Sequence, residues 1–332
     1  MNKWEVLSGE DPVNGIYHRI IYVCSYCAPE LAIPPDLILQ ILQSGGKVED
    51  MDFNQAIQHL VDLDFLHWSE GNIIIEKEIT IYGRDQDSGS GQSVLPSLAG
   101  KMTDLSYQKL VNGSKQDRQI LRPHLHSIAM ASQIIHPQKA SGLWNNLSMF
   151  HRLEGEYTEA RHYSEQALAC EEKAFGPDHP NVANRYNSLG NGLQVEGDLA
   201  GARLCFEKAL DIDERAFGKE HPKLAVRLNR LGSLLQSQGE RGEAIGYCER
   251  ALAIDVKALG ESHPDVGIDL NDLGLLLMET GELSRARNCL EQALGIFEKY
   301  YPGNHRYIQV VRGSLSKLDN TTKTGSEERE VP

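Results

Sequence analysis

The sequence predicts a mainly α-helical chain: a superhelix of stacked helical hairpins (an α-solenoid), preceded by a small α+β domain. Three observations predict it. Residues recur every 42 positions through the second half: Gly155, Gly197, Gly239 and Gly281; Ala160, Ala202, Ala244 and Ala286; Leu147, Leu189, Leu231, Leu273 and Leu315. A fixed period of this size marks a repeat array. Inside each period the apolar residues follow helical spacing. Ahead of the array the period is absent, and residues 14–84 close on short apolar runs of strand type.

The first expected domain is 1–84. Ile16, Ile20, Val23 and Cys27 lie on one side of a helix over 15–28, Pro34-Pro35-Asp36 opens a second through Leu42, and a third runs from Asp52 to Leu63 with Ala56, Leu60 and Leu63 inward. Phe65 to Trp68, a Ser69–Asn72 turn and Ile73 to Ile75 read as a hairpin, and Glu76 to Tyr82 as a further strand. Three helices and a hairpin make a winged-helix-like pattern. Cys24 and Cys27, three apart on the first helix, read as core thiols: no second pair completes a zinc site.

Residues 85–100 are rich in Ser, Gly and Asp and read as a flexible linker. Residues 101–139 read as a helical spacer or degenerate repeat. Leu105 and Gly113 keep the phase of Leu147 and Gly155, but Arg118 stands where later units have Ala. Pro123 must kink or start a helix. His124 and His126 leave it on different faces, a poor metal pair.

Residues 140–318 form the array: four 42-residue hairpins and a capping helix. In the second unit Tyr186, Leu189, Gly190 and Leu193 stripe one helix, Gly197 ends it, and Ala202, Phe206, Ala209 and Leu210 stripe its partner. The alanines let two backbones approach closely. Pro180, Pro222 and Pro264 suit a first helical turn. His179, His221, His263 and His305 share one loop phase and read as turn-fixing residues. In the first unit Ser148 replaces the Gly and Ser164 the aromatic, which predicts looser packing there. Residues 319–332 read as a disordered tail.

These residues resemble the tetratricopeptide repeat. Tyr186, Leu189, Gly190, Ala202, Phe206 and Ala209 match its large–Leu–Gly…Ala…Phe…Ala pattern. The run Leu-Asn-x-Leu-Gly…Gly-Glu…Ala…Ala-Leu-x-Ile…Gly-x-x-His-Pro is similar to the kinesin light chain subtype. The layout of winged helix, spacer and such repeats also resembles the C-terminal half of STAND (NLR-like) regulators. Ala-Pro-Glu-Leu-Ala-Ile-Pro-Pro-Asp-Leu-Ile at 28–38 and Leu-Arg-Pro-His-Leu at 121–125 are similar to segments of that family. Two of its features are missing. Gly45-Gly46-Lys47 has neither the upstream Gly nor the Ser/Thr of a phosphate loop. Ile79 to Arg84 lacks the His that often contacts nucleotide in that family. On this resemblance the chain is the sensor half of such a regulator, and its ATPase is a separate partner or lost.

Composition narrows the function. Lys and Arg number 33 against 47 Asp and Glu, a net charge of −14, and residues 1–100 hold five of the former against fifteen of the latter. Duplex DNA repels such a surface, so no nucleic acid is expected and a DNA-binding regulator is disfavoured. Residues 101–139 reverse the sign, with six Lys/Arg and two Asp/Glu. No run of eighteen apolar residues and no apolar leader occur, so the expectation is a cytoplasmic protein with reduced thiols that meets no membrane. No hydrolase or metalloprotease motif is present, and no enzyme activity, metal or cofactor is expected.

One periodic polar set remains: Asn145, Asn187, Asn229 and Asn271. The tetratricopeptide resemblance places that phase of the first helix toward the concave groove. An amide offers an acceptor and two donors, so it can pair with both groups of an extended peptide. The other reading is that these Asn bond between neighbouring repeats. Arg152, Gln194, Gln236 and Met278, one turn further on, would supply selectivity; Arg230 and Asp272 flank the ladder. The expected role is a scaffold that binds a protein or peptide partner in that groove.

Overall fold

The 42-residue period folds as helical hairpins. The computed structural model describes residues 20–27, 31–43, 50–62, 65–75, 84 and 95–327, in two units, Met1–Pro177 and Asp178–Pro332.

In the first unit, residues 20–26 are helical (α1), followed by α2 (Pro35–Gln43) and α3 (Asp50–Asp62). Strands β1 (Leu66–Ser69) and β2 (Asn72–Ile75) pair antiparallel, Leu66 opposite Ile75. Their two-residue turn puts Glu70 at φ 50° and Gly71 at φ 80°, the left-handed pair that suits the right-handed strand twist. Ile33 bonds to the other side of β2: its N–H donates to the Ile73 carbonyl at 2.7 Å and its carbonyl accepts from Ile73 at 2.9 Å. The strand expected at 76–82 and most of the linker, 85–94, lie outside the described residues.

Four helices complete this unit: α4 (Leu95–Asn112), α5 (Lys115–Ile135), α6 (Pro137–Leu153) and α7 (Tyr157–Phe175). Helix α4 starts inside the span read as linker, because Leu95, Leu98, Ala99 and Met102 bury one face. Ser114 caps α5 reciprocally with Asp117. Pro123 sits inside α5, which continues on both sides of it. Ile20, Val23, Cys24, Cys27, Ile73, Ile75, Met102, Leu125 and Trp144 share one core with these helices. Burial pushes the Cys27 thiol up to about 12, so it is inert at neutral pH.

The Ser148 and Ser164 positions are a correction to the expected loose packing. Both are buried, their hydroxyls lie 2.6 Å apart, and Ser148 also donates to the Ala160 carbonyl at 2.7 Å.

The second unit runs α8 (Pro180–Glu196), α9 (Leu199–Phe217), α10 (Lys223–Gln238), α11 (Arg241–Leu259), α12 (Pro264–Glu279), α13 (Leu283–Tyr300) and α14 (Arg306–Glu327). Gly197 and Gly239 leave their helices at φ 92° and 83°, a conformation a Cβ would strain. Ala202, Ala244 and Ala286 are fully buried where paired helices cross. A Cβ on Gly190 would lie 2.6 Å from Phe206 Cε1, so the glycine is what admits the ring. The histidines act as caps. Nδ1 of His179, His221, His263 and His305 accepts the N–H two residues on, at 3.1, 3.2, 3.2 and 3.4 Å. Helix α14 continues to Glu327, into residues read as tail.

Candidate partner-binding site

Helices α8, α10 and α12 are the first helices of successive hairpins, and their polar side chains meet one another. Arg227 on α10 donates to Asn184 Oδ1 on α8 at 2.5 Å, and Arg230 donates to Asn191 Oδ1 at 2.7 Å. Toward the next repeat, Asn229 Nδ2 donates to Asp269 Oδ1 at 2.7 Å and Gln236 Nε2 to Glu279 Oε1 at 2.9 Å. The first helices thus carry one polar row across three repeats.

The four ladder asparagines differ in their partners. Asn229 bonds across repeats. Asn271 Nδ2 donates to Asp272 Oδ1 at 3.0 Å, while its Oδ1 is buried without a partner in the chain. Asn187 is only 9% exposed, and its Oδ1 also lacks a partner. Asn145, in the first unit, points its amide at Met149 Sδ, 3.6 Å away. Of the flanking set, Gln194 is half-buried, Gln236 is engaged with Glu279, and Met278 packs into the core. Arg230 keeps a buried Nε without a partner, and burial, then Arg227, pulls its guanidinium below the usual arginine range. Arg152 is half-buried near the end of α6 in the first unit.

A charge reversal sits behind the row. Arg227 donates to Asp213 on α9 at 3.0 Å, with side chains only 11% and 3% exposed. One period later the same two positions hold Asp269 and Asp255. Burial, together with charge repulsion from Asp255, pushes Asp269 up to about 7 despite the Asn229 hydrogen bond. Asp255 and Asp272 are raised too, each mainly by burial. Periodicity alone missed Asn184 and Asn191, because their phases hold Val226 and Ser233 in the next repeat. The reversal at Asp269 was visible as an acid in an Arg phase.

Among the described residues no group of three or more His, Cys, Asp or Glu is placed to hold a metal, and no helix is long and apolar enough to cross a membrane.

The fold and the polar row define a helical-hairpin solenoid, and comparison with known proteins makes this specific. The tetratricopeptide repeat family matches residues 140–194, 185–245 and 227–299, so that span consists of tetratricopeptide repeats. Its structure is similar to a Podosopora anserina kinesin light chain-type protein with nearly identical TPR-like repeats. The TM-score is 0.54 at 21% identity, covering 62% of this chain and 99% of that one. It is also similar to BtubC (BKLC) from P. vanneervenii, with TM-score 0.55 at 21% identity, covering 67% and 89%. At this identity the likeness concerns the fold. No curated protein matches the sequence.

Proposed function

We propose that the chain is a non-enzymatic interaction module that receives a protein or peptide partner in the concave groove of its repeats. Stacked hairpin repeats create extended concave surfaces of this kind. The observation that carries the reading is the polar row itself: Asn229 of the asparagine ladder, the adjacent Arg230 and, further along the same helix, Gln236 bond from one first helix to the next across three repeats. An extended backbone supplies both complements, N–H and C=O, whatever its sequence. Gln194, Gln236 and Met278 tune the site, and Asn145 and Arg152 hold the same phases in the first repeat.

Photo-crosslinking tests the location. A benzophenone amino acid at Gln194, on α8, should capture a partner in lysate of the source cell, while one at Leu204, 55% exposed on α9, should not. Capture from Leu204 alone would move the site to the second helices.

A second reading has support in the N-terminal region. Three helices, the hairpin and the Ile33 bridge to β2 follow the order of a winged helix, here in a stretch of acidic composition unsuited to DNA. A winged helix ahead of kinesin light chain-type repeats fits the sensor half of a STAND regulator in the cytoplasm, working with a separate ATPase. Co-purification of a phosphate-loop ATPase with the full chain would favour it.

A further inference from the structure

The basic stretch 101–139 plays no part in the repeat groove, yet it walls a cleft of about 690 Å³ in the first unit. Arg122, Pro123, His126, Ser127 and Met130 of α5 form one side; Leu147 and His151 of α6 and Tyr163 of α7 form the other, with Arg84 at one end. The repeat phase explains why it is open. Arg122 occupies the position that Phe206 fills in the second repeat, so a cation stands where a ring would plug the hairpin.

The cation is held in place. Arg122 Nη1 donates to Glu156 Oε2 at 3.0 Å and Nη2 to the Phe150 carbonyl at 3.4 Å, which leaves Nε buried without a partner. Arg84 is likewise fixed, through the Ser25 carbonyl at 2.7 Å and Ser127 Oγ at 3.0 Å. Opposite them stands an aromatic wall. Tyr163 stacks on Trp144 with centroids 5.5 Å apart, and His126 meets Trp144 edge-on at 5.2 Å. His151 lies 5.0 Å from Tyr163. The cleft therefore joins fixed cationic and neutral donors to a flat apolar surface, at a volume usual for a small-ligand site. Guanidinium and imidazole donors in a partly dry site favour an oxyanion of high charge.

We propose that this cleft binds a phosphate monoester whose organic part includes an aromatic ring, the phosphate against Arg122 and His126 and the ring against the Tyr163 wall. Such a molecule comes from two sources, a nucleotide, whose base is joined to the phosphate through ribose, or a phosphotyrosine side chain. Protonation follows from the same geometry. His126 faces Trp144, Tyr163 and His162; burial, then His162, holds it below the usual imidazole range. His151 faces Arg122, Tyr163, Glu156 and Glu159, and burial, then Arg122, lowers it. A dianion placed beside them raises both, so binding takes up protons and tightens as pH falls from about 8 toward 6.

Isothermal titration of the full chain with adenosine monophosphate, phosphotyrosine, inorganic phosphate and benzoate tests this. The expected result is saturable binding of one aromatic phosphate, at least tenfold tighter than inorganic phosphate or benzoate, with proton uptake. Whichever of the two binds names the source. Arg122→Met should weaken it at least tenfold. Met130→Trp, at a 47% exposed position, should block the cleft at the loss of one weak contact only, Gln133 Nε2 to Met130 Sδ at 3.8 Å. No saturation by either aromatic phosphate, equal binding of inorganic phosphate, or binding unchanged in a folded Met130→Trp variant overturns the proposal.

Discussion

Asp269 stands where the preceding repeat has Arg227, and it faces Asp255, the counterpart of the Asp213 that Arg227 binds at 3.0 Å. The α9–α10 junction is thus closed by an ion pair and the α11–α12 junction by two carboxyls. With the Asp269 pKa at about 7 in the folded chain and about 3.9 unfolded, the native state holds the extra proton between those values. Stability from this group is full below about pH 4 and is lost as pH rises through about 7. Asp269→Asn keeps an acceptor for Asn229 and removes the titration. The melting temperature of the wild type should fall relative to Asp269→Asn between pH 4.5 and 8. Asp269→Arg should recreate the ion pair and melt higher than wild type at pH 8. Parallel pH curves for wild type and Asp269→Asn would contradict the assignment.

The Ser148–Ser164 pair replaces a glycine–aromatic contact by a buried hydrogen bond. Ser164→Phe alone should drive the ring into Ser148 and cost about 1–3 kcal/mol by overpacking. Adding Ser148→Gly should recover most of that, because the pair then matches Gly190 and Phe206. Denaturant melts of both singles and the double give the coupling; additive effects would separate the two positions.

Two glycines on α8 should respond with opposite signs. A Cβ at Gly190 meets Phe206 at 2.6 Å, whereas one at Gly192 meets nothing within 4 Å. Gly190→Ala should destabilise by about 1–3 kcal/mol, and Gly192→Ala should stabilise by up to about 1 kcal/mol through helix propensity. Chemical denaturation measures both, and equal signs would refute the register.

The histidine caps are testable at His263, whose Nδ1 accepts the Asp265 N–H at 3.2 Å. His263→Ala should cost about 0.5–2 kcal/mol and His263→Asn much less, since Asn is itself a strong cap. Thermal melts at pH 8 that rank the two variants equal would make the histidine a bystander.

Much of the array was legible because its constraints repeat. Gly197, Ala202 and His179 each answer a local demand, a left-handed exit, a close crossing or a cap, that recurs at every hairpin. What stayed hidden depends on pairs. Ser148 reads as a defect until Ser164 is seen against it. Pro123 reads as a kink or a helix start, but α5 runs on both sides of it, with Leu121, Leu125 and Ile128 buried. The α4 start at Leu95 was masked by the Ser- and Gly-rich run before it. At the candidate site the Asn phase was readable, but whether each amide is engaged was not: Asn229 finds Asp269 on another helix, and Asn187 Oδ1 finds nothing. The cleft left a weak trace, Arg122 at a core phase of a degenerate unit.

The central claim is that the ladder asparagines of the polar row pair with a partner's backbone. The most direct measurement is the affinity of the crosslinked partner, once purified, for wild type and for the Asn187→Ala/Asn271→Ala double variant, with melts in parallel. Two neutral hydrogen bonds at about 0.5–1.5 kcal/mol each predict binding weakened roughly five- to 150-fold. The melting temperature should be unchanged or slightly higher, because Ala favours helix. Full affinity with a lowered melting temperature would make these asparagines structural and contradict the groove assignment.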